Sequence, residues 1–431
     1  MNSDTALLTD HYELTMLSAA LRDGTADRQC VFEVFARRLP LGRRYGVVAG
    51  TGRVVERLSE FTFSPEIVDW LLARQVVDEQ TADWLRSYRF RGDIDGYAEG
   101  ELYFPNSPIL TVSGTFAECV VLETFVLSVL NHDCAVASAA ARMVTAARGR
   151  PLIEMGSRRT HEESAVAAAR AAYLAGFAST SNLAAGRRYG IPTAGTAAHA
   201  FTLLHDDEKA AFASQIDTFS KDTTLLVDTY DISQGIRNAI AVAGPDLGAI
   251  RIDSGDLSVL AQQSRDLLDE LGATDTRIIV SGDLDEYAIA SLAAEPVDAY
   301  GAGTAVVVGS GAPTAGMVYK LVEVDGQPVV KRSENKATVG GRKTAVRRHK
   351  PTGTATQEII VPQGTAEPQP HDRALQRPYV RGGEPVADLP TLTESRELLR
   401  RNLISIPWEG LKLSQGEPAI PVTCVPAKET P

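Results

Sequence analysis

The chain has few cysteines and a deficit of positive charge. Its four cysteines lie far apart in 431 residues and form neither a CxxC pair nor a zinc-type spacing. We therefore expect buried thiols in a protein of a reducing compartment. The formal net charge of −12 argues against nucleic acid or an anionic membrane as a partner, because both attract basic surfaces.

Long apolar runs are missing as well. No window approaches 18 uninterrupted apolar residues, so no membrane span is expected. The opening MNSDTALLTDHYEL has no basic stretch followed by an apolar core, and we expect no signal peptide. These absences favour a cytoplasmic protein. The length predicts two or three domains, and 44% hydrophobic with 23% charged residues is typical of a soluble globular chain.

Several catalytic motifs are also absent. The sequence has no GxxxxGK[ST], which excludes a P-loop nucleotide hydrolase. It has no GxGxxG after a strand, since GSGAPTAG at 309–316 only approximates it, and this weakens a dehydrogenase interpretation. Neither GxSxG nor HExxH occurs.

What the chain does contain is a repeat between about residues 151 and 304, in which short apolar runs end in polar residues before a helical stretch. The runs are PLIEMGSRR (151–159), GFASTSN (176–182), IPTAGTAAH (191–199), TTLLVDTYD (223–231), GAIRIDSGD (248–256), TRIIVSGDLD (276–285) and VDAYGAGT (297–304). Repeated strand–helix order requires a parallel sheet. Seven strands predict an irregular TIM-like (β/α) barrel, or one whose last strand comes from flanking sequence.

The flanking segments predict a second domain. Residues 1–115 combine helices with an antiparallel pattern, and 317–333 read as a hairpin with Asp-Gly at its turn. Residues 362–390 are rich in proline and glycine and are expected to be loop. We predict that 1–115 and 317–431 form one discontinuous α+β domain and that 116–316 form the barrel. A long helix over roughly 117–148, with room for a break near 131–133, leads into the barrel.

Substrates of such barrels bind at the carboxyl ends of the strands. The polar residues expected on this rim are Arg158, Ser181, His199, Asp228, Asp253, Asp283, Gly303 and Thr304.

Two carboxylates on the rim carry the strongest signal. Asp228 and Asp253 each interrupt an apolar strand just before its end, where paired carboxylates suit ribose hydroxyls, a magnesium ion or a developing cation. Asp231 and Asp256 stand where helices begin, and helix capping by itself can account for them.

Phosphate chemistry is indicated by glycine turns, adjacent arginines and a histidine. SGDLD (281–285) and GAGT (301–304) end the last two strands, where backbone N–H groups bind phosphate. Arg158 and Arg159 suit phosphate or carboxylate. A lone histidine is more often a core or surface residue. On this rim, however, His199 is favoured as a base or as a nucleophile toward phosphorus.

Strings throughout the chain resemble one family, the nicotinate phosphoribosyltransferases, members of the barrel-type (type II) phosphoribosyltransferases. The strings are TDHYELTM (9–16), FARRLP (35–40), EMGSRRTH (154–161), STSN (179–182), GTAAHA (195–200), LLVDTYD (225–231), RIDSGDL (251–257), SGDLDE (281–286), YGAGT (300–304), YKLVE (319–323), KRSENK (331–336) and GGRKTAVR (340–347). Their shared order is far more specific than any one of them.

The resemblance implies a reaction. Nicotinate attacks C1 of phosphoribosyl pyrophosphate (PRPP), and nicotinate mononucleotide and pyrophosphate form with coupled ATP hydrolysis, as in a ligase of NAD salvage. It implies ATP and Mg²⁺ as cofactors and a homodimer with the active site at its interface.

The resemblance also implies residue roles. His199 matches the histidine that the family phosphorylates from ATP. Asp228 and Asp253 match the acidic residues at the ribose and its metal, and with His199 they form the expected catalytic set. The expected substrate-binding residues are Tyr12 (stacking on the pyridine from the neighbouring subunit), Met155 (beside the ring), Arg158 (near ring and PRPP), Ser181, Thr196, Arg251, and Gly282, Gly303 and Thr304 (the 5′-phosphate).

Alternatives remain at this point. Nicotinamide-specific relatives carry an aspartate where this chain has Ser181, whose hydroxyl donates to a carboxylate, so the acid is favoured. A barrel lyase acting on a sugar phosphate normally needs a lysine or metal-ligand set at a strand end, and the strand ends show no lysine. A non-catalytic binding protein would have lost rim residues that are present here.

Overall fold

The structure, a computed structural model, describes residues 5–331, 339–365 and 369–425, so 332–336 of the KRSENK string lie outside the described residues. Contacts divide the chain into two compact units. The first comprises Met1–Ser138 and Thr314–Pro431, and the second comprises Ala139–Pro313.

The first unit contains helices and mostly antiparallel strands. Its helices are His11–Asp23, Thr51–Leu58, Pro65–Ala73, Glu79–Arg86, Phe116–Val120 and Leu392–Ser405, and Glu123–Ala147 begins in it. Short 3-10 turns occupy Thr5–Leu7, Pro40–Gly42 and Trp408–Leu411. Its strands are Gln29–Ala36, Gly46–Val47, Asp93–Tyr97, Leu102–Tyr103, Leu110–Thr115, Met317–Val324, Gln327–Pro328, Lys343–His349, Ala355–Pro362, Asp372–Ala374, Gln376–Arg381, Glu384–Pro385 and Val422–Cys424.

The strand Gln29–Ala36 lies inside the main antiparallel sheet of this unit. It pairs on one side with Met317–Val324 and on the other with Leu110–Thr115. The predicted hairpin is confirmed, because Met317–Val324 turns back at Asp-Gly to pair with Gln327–Pro328. Sequence-distant segments thus share one sheet, with an apolar core packed against it.

A buried charge network joins strands of this unit. Arg347 is fully buried between Glu101 and Glu358, and it donates to Glu358 Oε2 at 2.6 Å. Burial opposes the ionisation of Glu101, but the charges of Arg347 and Arg373 outweigh it and hold the pKa of Glu101 below its usual value. Removing one member would leave a buried charge uncompensated.

Two expectations for this part of the chain are wrong. The segment 362–390 is not all loop, because Gln376–Arg381 pairs with Asp93–Tyr97, with a register shift at Pro378, which has no N–H to donate. The helix interruption falls at 121–122 and not near 131–133. Asp133 lies inside the continuous helix and accepts a hydrogen bond from Arg53 at 2.7 Å. This polar residue therefore makes a tertiary contact and does not mark a helix break.

The second unit alternates strands with helices. Its strands are Leu152–Glu154, Ser179–Thr180, Thr224–Leu226, Ala249–Ile252, Arg277–Gly282 and Ala299–Ala302. Its helices are Glu162–Ala175, Leu183–Tyr189, His199–Leu204, Glu208–Phe219, Ile232–Ala243, Leu257–Glu270, Glu286–Ser291 and Thr304–Val307, with a 3-10 turn at Leu292–Ala294.

These strands form one parallel sheet, so the chain has a mixed α/β fold with repeated strand–helix order. The order across the sheet is Ser179–Thr180, Leu152–Glu154, Ala299–Ala302, Arg277–Gly282, Ala249–Ile252, Thr224–Leu226.

The expected strand at 191–199 is wrong in the described chain. Only Thr193 makes a bridge, to Thr180, and the sheet has six strands where the sequence predicted seven. Pro192 has no N–H and Gly195 disfavours extended pairing, so the ladder stops there.

Aspartates begin several helices of this unit. Asp231 accepts from the Gln234 amide at 2.8 Å, and Asp256 accepts from the Val259 amide at 3.4 Å. The capping interpretation of these two aspartates is therefore confirmed.

One helical segment among the described residues, Phe116–Ala147, is long and apolar enough to cross a membrane by length and composition. In its most apolar 18-residue stretch, 67% is buried within the protein. A core helix of a globular protein has the same properties.

Candidate active site

Arg251 and Asp253 lie at the carboxyl end of the strand Ala249–Ile252, and a serine of the neighbouring strand connects them. Arg251 Nε donates to Ser281 Oγ at 2.7 Å, and Ser281 donates to Asp253 Oδ1 at 2.6 Å. The guanidinium also donates to Asp253 Oδ1 at 3.0 Å and to Thr196 Oγ1 at 2.8 Å. The position of the Arg251 side chain is therefore set by three partners.

This network determines the charge of Asp253. Burial by itself would raise the pKa of Asp253, but the hydrogen bond from Ser281 and the charges of Arg251 and His199 outweigh it. The pKa of Asp253 consequently lies below its usual value. A lasting negative charge at this rim can stabilise a positive charge that develops on a substrate.

Asp228 lies beside Asp253 and is nearly buried. Its Oδ2 accepts from the Asp253 amide at 2.8 Å and from the Ser254 hydroxyl at 2.9 Å. Its Oδ1 is buried and has no hydrogen-bond partner among the described residues, with His199 Nε2 3.8 Å away. One oxygen of Asp228 thus holds the neighbouring strand end, while the other is left for a cation or for His199.

The His199 side chain is 41% exposed. It occupies the first position of the helix His199–Leu204, and its Nδ1 lies 3.1 Å from Thr229 Oγ1. A partly exposed imidazole beside a buried carboxylate can exchange protons or accept a group from solvent.

A cavity of about 230 Å³ opens at the carboxyl ends of four neighbouring strands. Three arginines and two aspartates line it, so an acidic protein has a locally basic pocket here. The lining residues are Met155, Arg158, Arg159, Arg251, Asp253, Ser281, Gly282, Asp283, Gly301, Gly303 and Thr304.

Gly301 allows Met155 to lie against the floor of this cavity. A Cβ at position 301 would lie 2.7 Å from Met155 Sδ and 3.0 Å from Ser281 Cβ. Both contacts are shorter than, or at the limit of, normal packing. The absence of a side chain at Gly301 therefore determines where the thioether sits.

The sequence-predicted residues fall into three groups. Eight of them line the cavity: Met155, Arg158, Arg251, Asp253, Gly282, Asp283, Gly303 and Thr304. Three more contact this lining directly or through one another: Thr196 bonds to Arg251, Asp228 bonds to Asp253, and His199 lies beside Asp228.

Ser181 and Tyr12 are not among the lining residues. Ser181 is exposed, and its amide donates to the Glu154 carbonyl at 2.8 Å. Tyr12 belongs to the first compact unit and is 45% exposed. Burial and the nearby carboxylate of Glu123 raise the pKa of Tyr12 to about 12.

Sequence reasoning missed Ser281, Thr229 and Glu154 as individual residues. Ser281 connects Arg251 with Asp253, Thr229 faces His199, and Glu154 is buried under the arginine turn. Each is a polar residue at the end of a short apolar run. The same pattern, a polar residue that ends an apolar run, had indicated Asp228 and Asp253, and it could also have indicated these three residues.

A parallel sheet whose strand ends bring arginines, carboxylates and glycine turns around one small basic cavity defines an α/β enzyme for a small anionic substrate. Comparison with known proteins narrows this class. Residues 7–131 match the nicotinate phosphoribosyltransferase (NAPRTase) N-terminal domain, and residues 136–310 match the quinolinate phosphoribosyl transferase C-terminal domain.

Individual relatives agree. The chain is 63% identical to nicotinate phosphoribosyltransferase pncB1 of Mycobacterium tuberculosis, over 99% of this chain and 97% of that protein. It is 40% identical to the nicotinate phosphoribosyltransferase of Bacillus subtilis, over 79% and 73% of the two chains. The crystal structure of human nicotinic acid phosphoribosyltransferase superposes with a TM-score of 0.85 at 28% identity, covering 96% and 97%. The chain belongs to the nicotinate phosphoribosyltransferase family.

Proposed function

We propose that the protein is a nicotinate phosphoribosyltransferase that forms nicotinate mononucleotide and pyrophosphate from nicotinate and PRPP, with coupled ATP hydrolysis, in NAD salvage. The observation that carries the proposal is the basic cavity at the strand ends, which combines three arginines with the ionised Asp253 in a chain 63% identical to such an enzyme.

The charges of the cavity suit the charges of both substrates. Nicotinate carries a carboxylate and PRPP carries phosphates, and guanidinium groups bind both kinds of anion through paired N–H donors. Arg158 and Arg159 line the cavity beside Gly303 and Thr304, whose turn suits the 5′-phosphate.

The carboxylates of the site can stabilise positive charge near the reacting carbon, C1 of the ribose. Loss of pyrophosphate develops positive charge on the ribose ring, and Asp253, kept ionised by Ser281 and Arg251, offers a compensating negative charge. Catalysis in this proposal consists mainly of holding the base and C1 in line and stabilising that charge.

The residues also fit Mg²⁺ carried by PRPP. Magnesium is usually held by one or two carboxylates together with substrate phosphates and water. The buried Oδ1 of Asp228, which has no hydrogen-bond partner in the described part of the chain, and the neighbouring carboxylate of Asp253 would supply that donor set. The ion would neutralise the charge of the departing pyrophosphate.

His199 is proposed as the residue that ATP phosphorylates. Its imidazole is partly exposed, and Thr229 and Asp228 face its two nitrogens. A phosphohistidine would place negative charge on the rim and order the basic groups on the pyrophosphate side.

Further parts of the proposal concern architecture. We propose that the parallel sheet belongs to an irregular TIM-like barrel, that the chain has a second, discontinuous α+β domain, and that the enzyme is a cytoplasmic homodimer. In that dimer Tyr12 would reach the pyridine ring in the partner's site. The exposed position of Tyr12 supports this role.

One assay tests the reaction. Purified protein is given PRPP and Mg²⁺ with nicotinate or nicotinamide at equal concentration, each with and without ATP, and the mononucleotide is quantified. Nicotinate mononucleotide, formed faster with ATP, is expected. Folded protein without product would refute the proposal, and preference for the amide would refute the role of Ser181. Cleavage of a sugar phosphate instead would favour the lyase.

A further inference from the structure

Glu154 is a buried carboxylate directly beneath the turn that carries Arg158. It ends the strand Leu152–Glu154 and is 1% exposed. Its Oε2 accepts from the Thr180 hydroxyl at 2.5 Å, and its Oε1 accepts from the amide of Gly156. Both oxygens are therefore occupied by neutral donors.

These contacts connect Glu154 to the turn that leads to Arg158. Gly156, which is held by Oε1, is packed so closely that a Cβ there would lie 2.2 Å from Val307 Cγ1 and 3.0 Å from the Gly303 carbonyl oxygen. The amide of Met155 donates to the Ala302 carbonyl at 2.8 Å. The arginine turn is thus clamped between Glu154 and the glycine turn after the strand Ala299–Ala302.

The second oxygen connects Glu154 to the turn that carries Ser181. The Thr180 hydroxyl that donates to Glu154 also accepts from the Asn182 amide at 2.9 Å. The Asn182 side chain then donates to Ser157 Oγ at 3.0 Å, inside the arginine turn. The chain of contacts returns to the segment where it began.

We propose that Glu154 is a positioning residue that fixes the arginine turn 155–159 against its two neighbouring turns and so sets the geometry of anion binding. This inference rests on the proposed function, since it specifies how the site holds PRPP. Glu154 itself does not line the cavity and touches neither substrate in the proposal.

Burial is consistent with this assignment. It raises the pKa of Glu154, and the hydrogen bonds from Thr180 and Gly156 only partly offset that effect. Burying a carboxylate whose hydrogen bonds compensate only part of its lost hydration costs folding free energy, and a function of the residue in the site would account for its presence there. Accurate placement of the Arg158 turn is such a role, because small displacements of binding groups weaken catalysis strongly.

The test uses the full chain with Glu154→Gln and Thr180→Val. Glutamine presents an NH2 group to one of the two donors, and valine removes the hydroxyl donor. We expect the KM for PRPP to rise about tenfold in Glu154→Gln and about threefold in Thr180→Val, with a smaller change in kcat. Thr180→Ser keeps the hydroxyl and should have the same KM for PRPP as the wild type.

Glu208→Gln is the matched control. Glu208 is also a buried glutamate of the second unit, its pKa is raised by burial, and its Oε2 accepts from Asn238 at 2.9 Å, away from the cavity lining. A purely structural role would lower the melting temperature of both glutamine variants and leave both KM values unchanged.

The outcomes separate the two proposals. Active wild type with a raised KM in Glu154→Gln alone supports the inference, whereas folded Glu154→Gln with a KM for PRPP within about twofold of wild type overturns it. An equal rise in Glu208→Gln also overturns it. If the wild type makes no product, the proposed function fails, and calorimetric PRPP binding decides the inference. About tenfold weaker binding in Glu154→Gln supports it, and equal or absent binding overturns it.

Discussion

Ser281→Ala is the sharpest test of the charge network at the strand ends. The hydroxyl is nearly buried, accepts from Arg251 at 2.7 Å and donates to Asp253 at 2.6 Å. Its removal leaves Arg251 with Thr196 and a direct bond to Asp253, so the network loosens without coming apart.

The expected loss follows from these contacts. A hydrogen bond to a charged group contributes about 1.5–3 kcal/mol, and the remaining contacts compensate part of the two that are lost. We expect about 2 kcal/mol of transition-state stabilisation to disappear, which is about a 30-fold fall in kcat/KM. Initial rates of nicotinate mononucleotide formation measure it.

The pH dependence gives a second readout. Among the contributions that lower the pKa of Asp253 against the effect of burial, the hydrogen bond from Ser281 is the first. The pKa should therefore rise in Ser281→Ala, and the acid limb of the rate profile should move to higher pH. Because the folded-state pKa of Asp253 is depressed, its stabilisation is present above the unfolded-state pKa and is lost as pH falls through the folded-state pKa. The stability difference between the two proteins should accordingly shrink in acid.

Thr115→Ala provides the control for this experiment. Thr115 donates to Glu118 at 2.8 Å, a comparable hydroxyl–carboxylate bond that lies in the first unit and does not involve the charge network or the cavity lining. Its kcat/KM should stay within about twofold of wild type. Ser281→Ala with an unchanged kcat/KM and an unchanged acid limb would refute the reasoning.

Three further outcomes are expected. His199→Ala should lose the stimulation by ATP and keep a weak ATP-independent rate, and unchanged ATP dependence in the coupled assay would remove the role proposed for His199. Gly301→Ala should raise the KM for both nicotinate and PRPP several-fold, because its Cβ would lie 2.7 Å from Met155 Sδ and 3.0 Å from Ser281 Cβ; unchanged KM values for both substrates in steady-state kinetics would contradict this. Arg347→Met should cost about 3–5 kcal/mol in denaturant unfolding at neutral pH. The loss should diminish in acid, because the depressed pKa of Glu101 makes its stabilisation disappear as pH falls. A loss independent of pH would argue against it.

Local patterns predicted the secondary structure of the second unit well. The helix Glu162–Ala175 ends at Gly176 as its sequence indicates, and Asp231 and Asp256 cap helices in their expected places. Such features depend on neighbours within about four residues along the chain. Prediction failed where pairing with a distant segment decides, as at 191–199, which forms a single bridge, and at Gln376–Arg381, which finds a partner in Asp93–Tyr97.

The same distinction applies to the candidate site. Asp228 and Asp253 could be read from the chain because polar residues that end apolar strands must gather at one edge of a parallel sheet, whereas Arg251 came only from the family resemblance. Their connections could not be read there. The bridge that Ser281 makes between Arg251 and Asp253 depends on contacts across 28 and 30 residues of sequence. The choice of which Asp228 oxygen accepts a hydrogen bond likewise depends on a contact across 25 residues.

Amino-acid order therefore specified which residue types stand at each strand end, since periodicity and capping act over a few residues. Only the folded chain decided which of them meet, how deeply they are buried and which charges persist. Glu154 illustrates the difference. In sequence it is one glutamate after an apolar pair, and packing alone places it under the arginine turn with both oxygens occupied by Gly156 and Thr180. Burial and hydrogen bonding arise from contacts distant in sequence, and they set the pKa and the geometry on which binding depends.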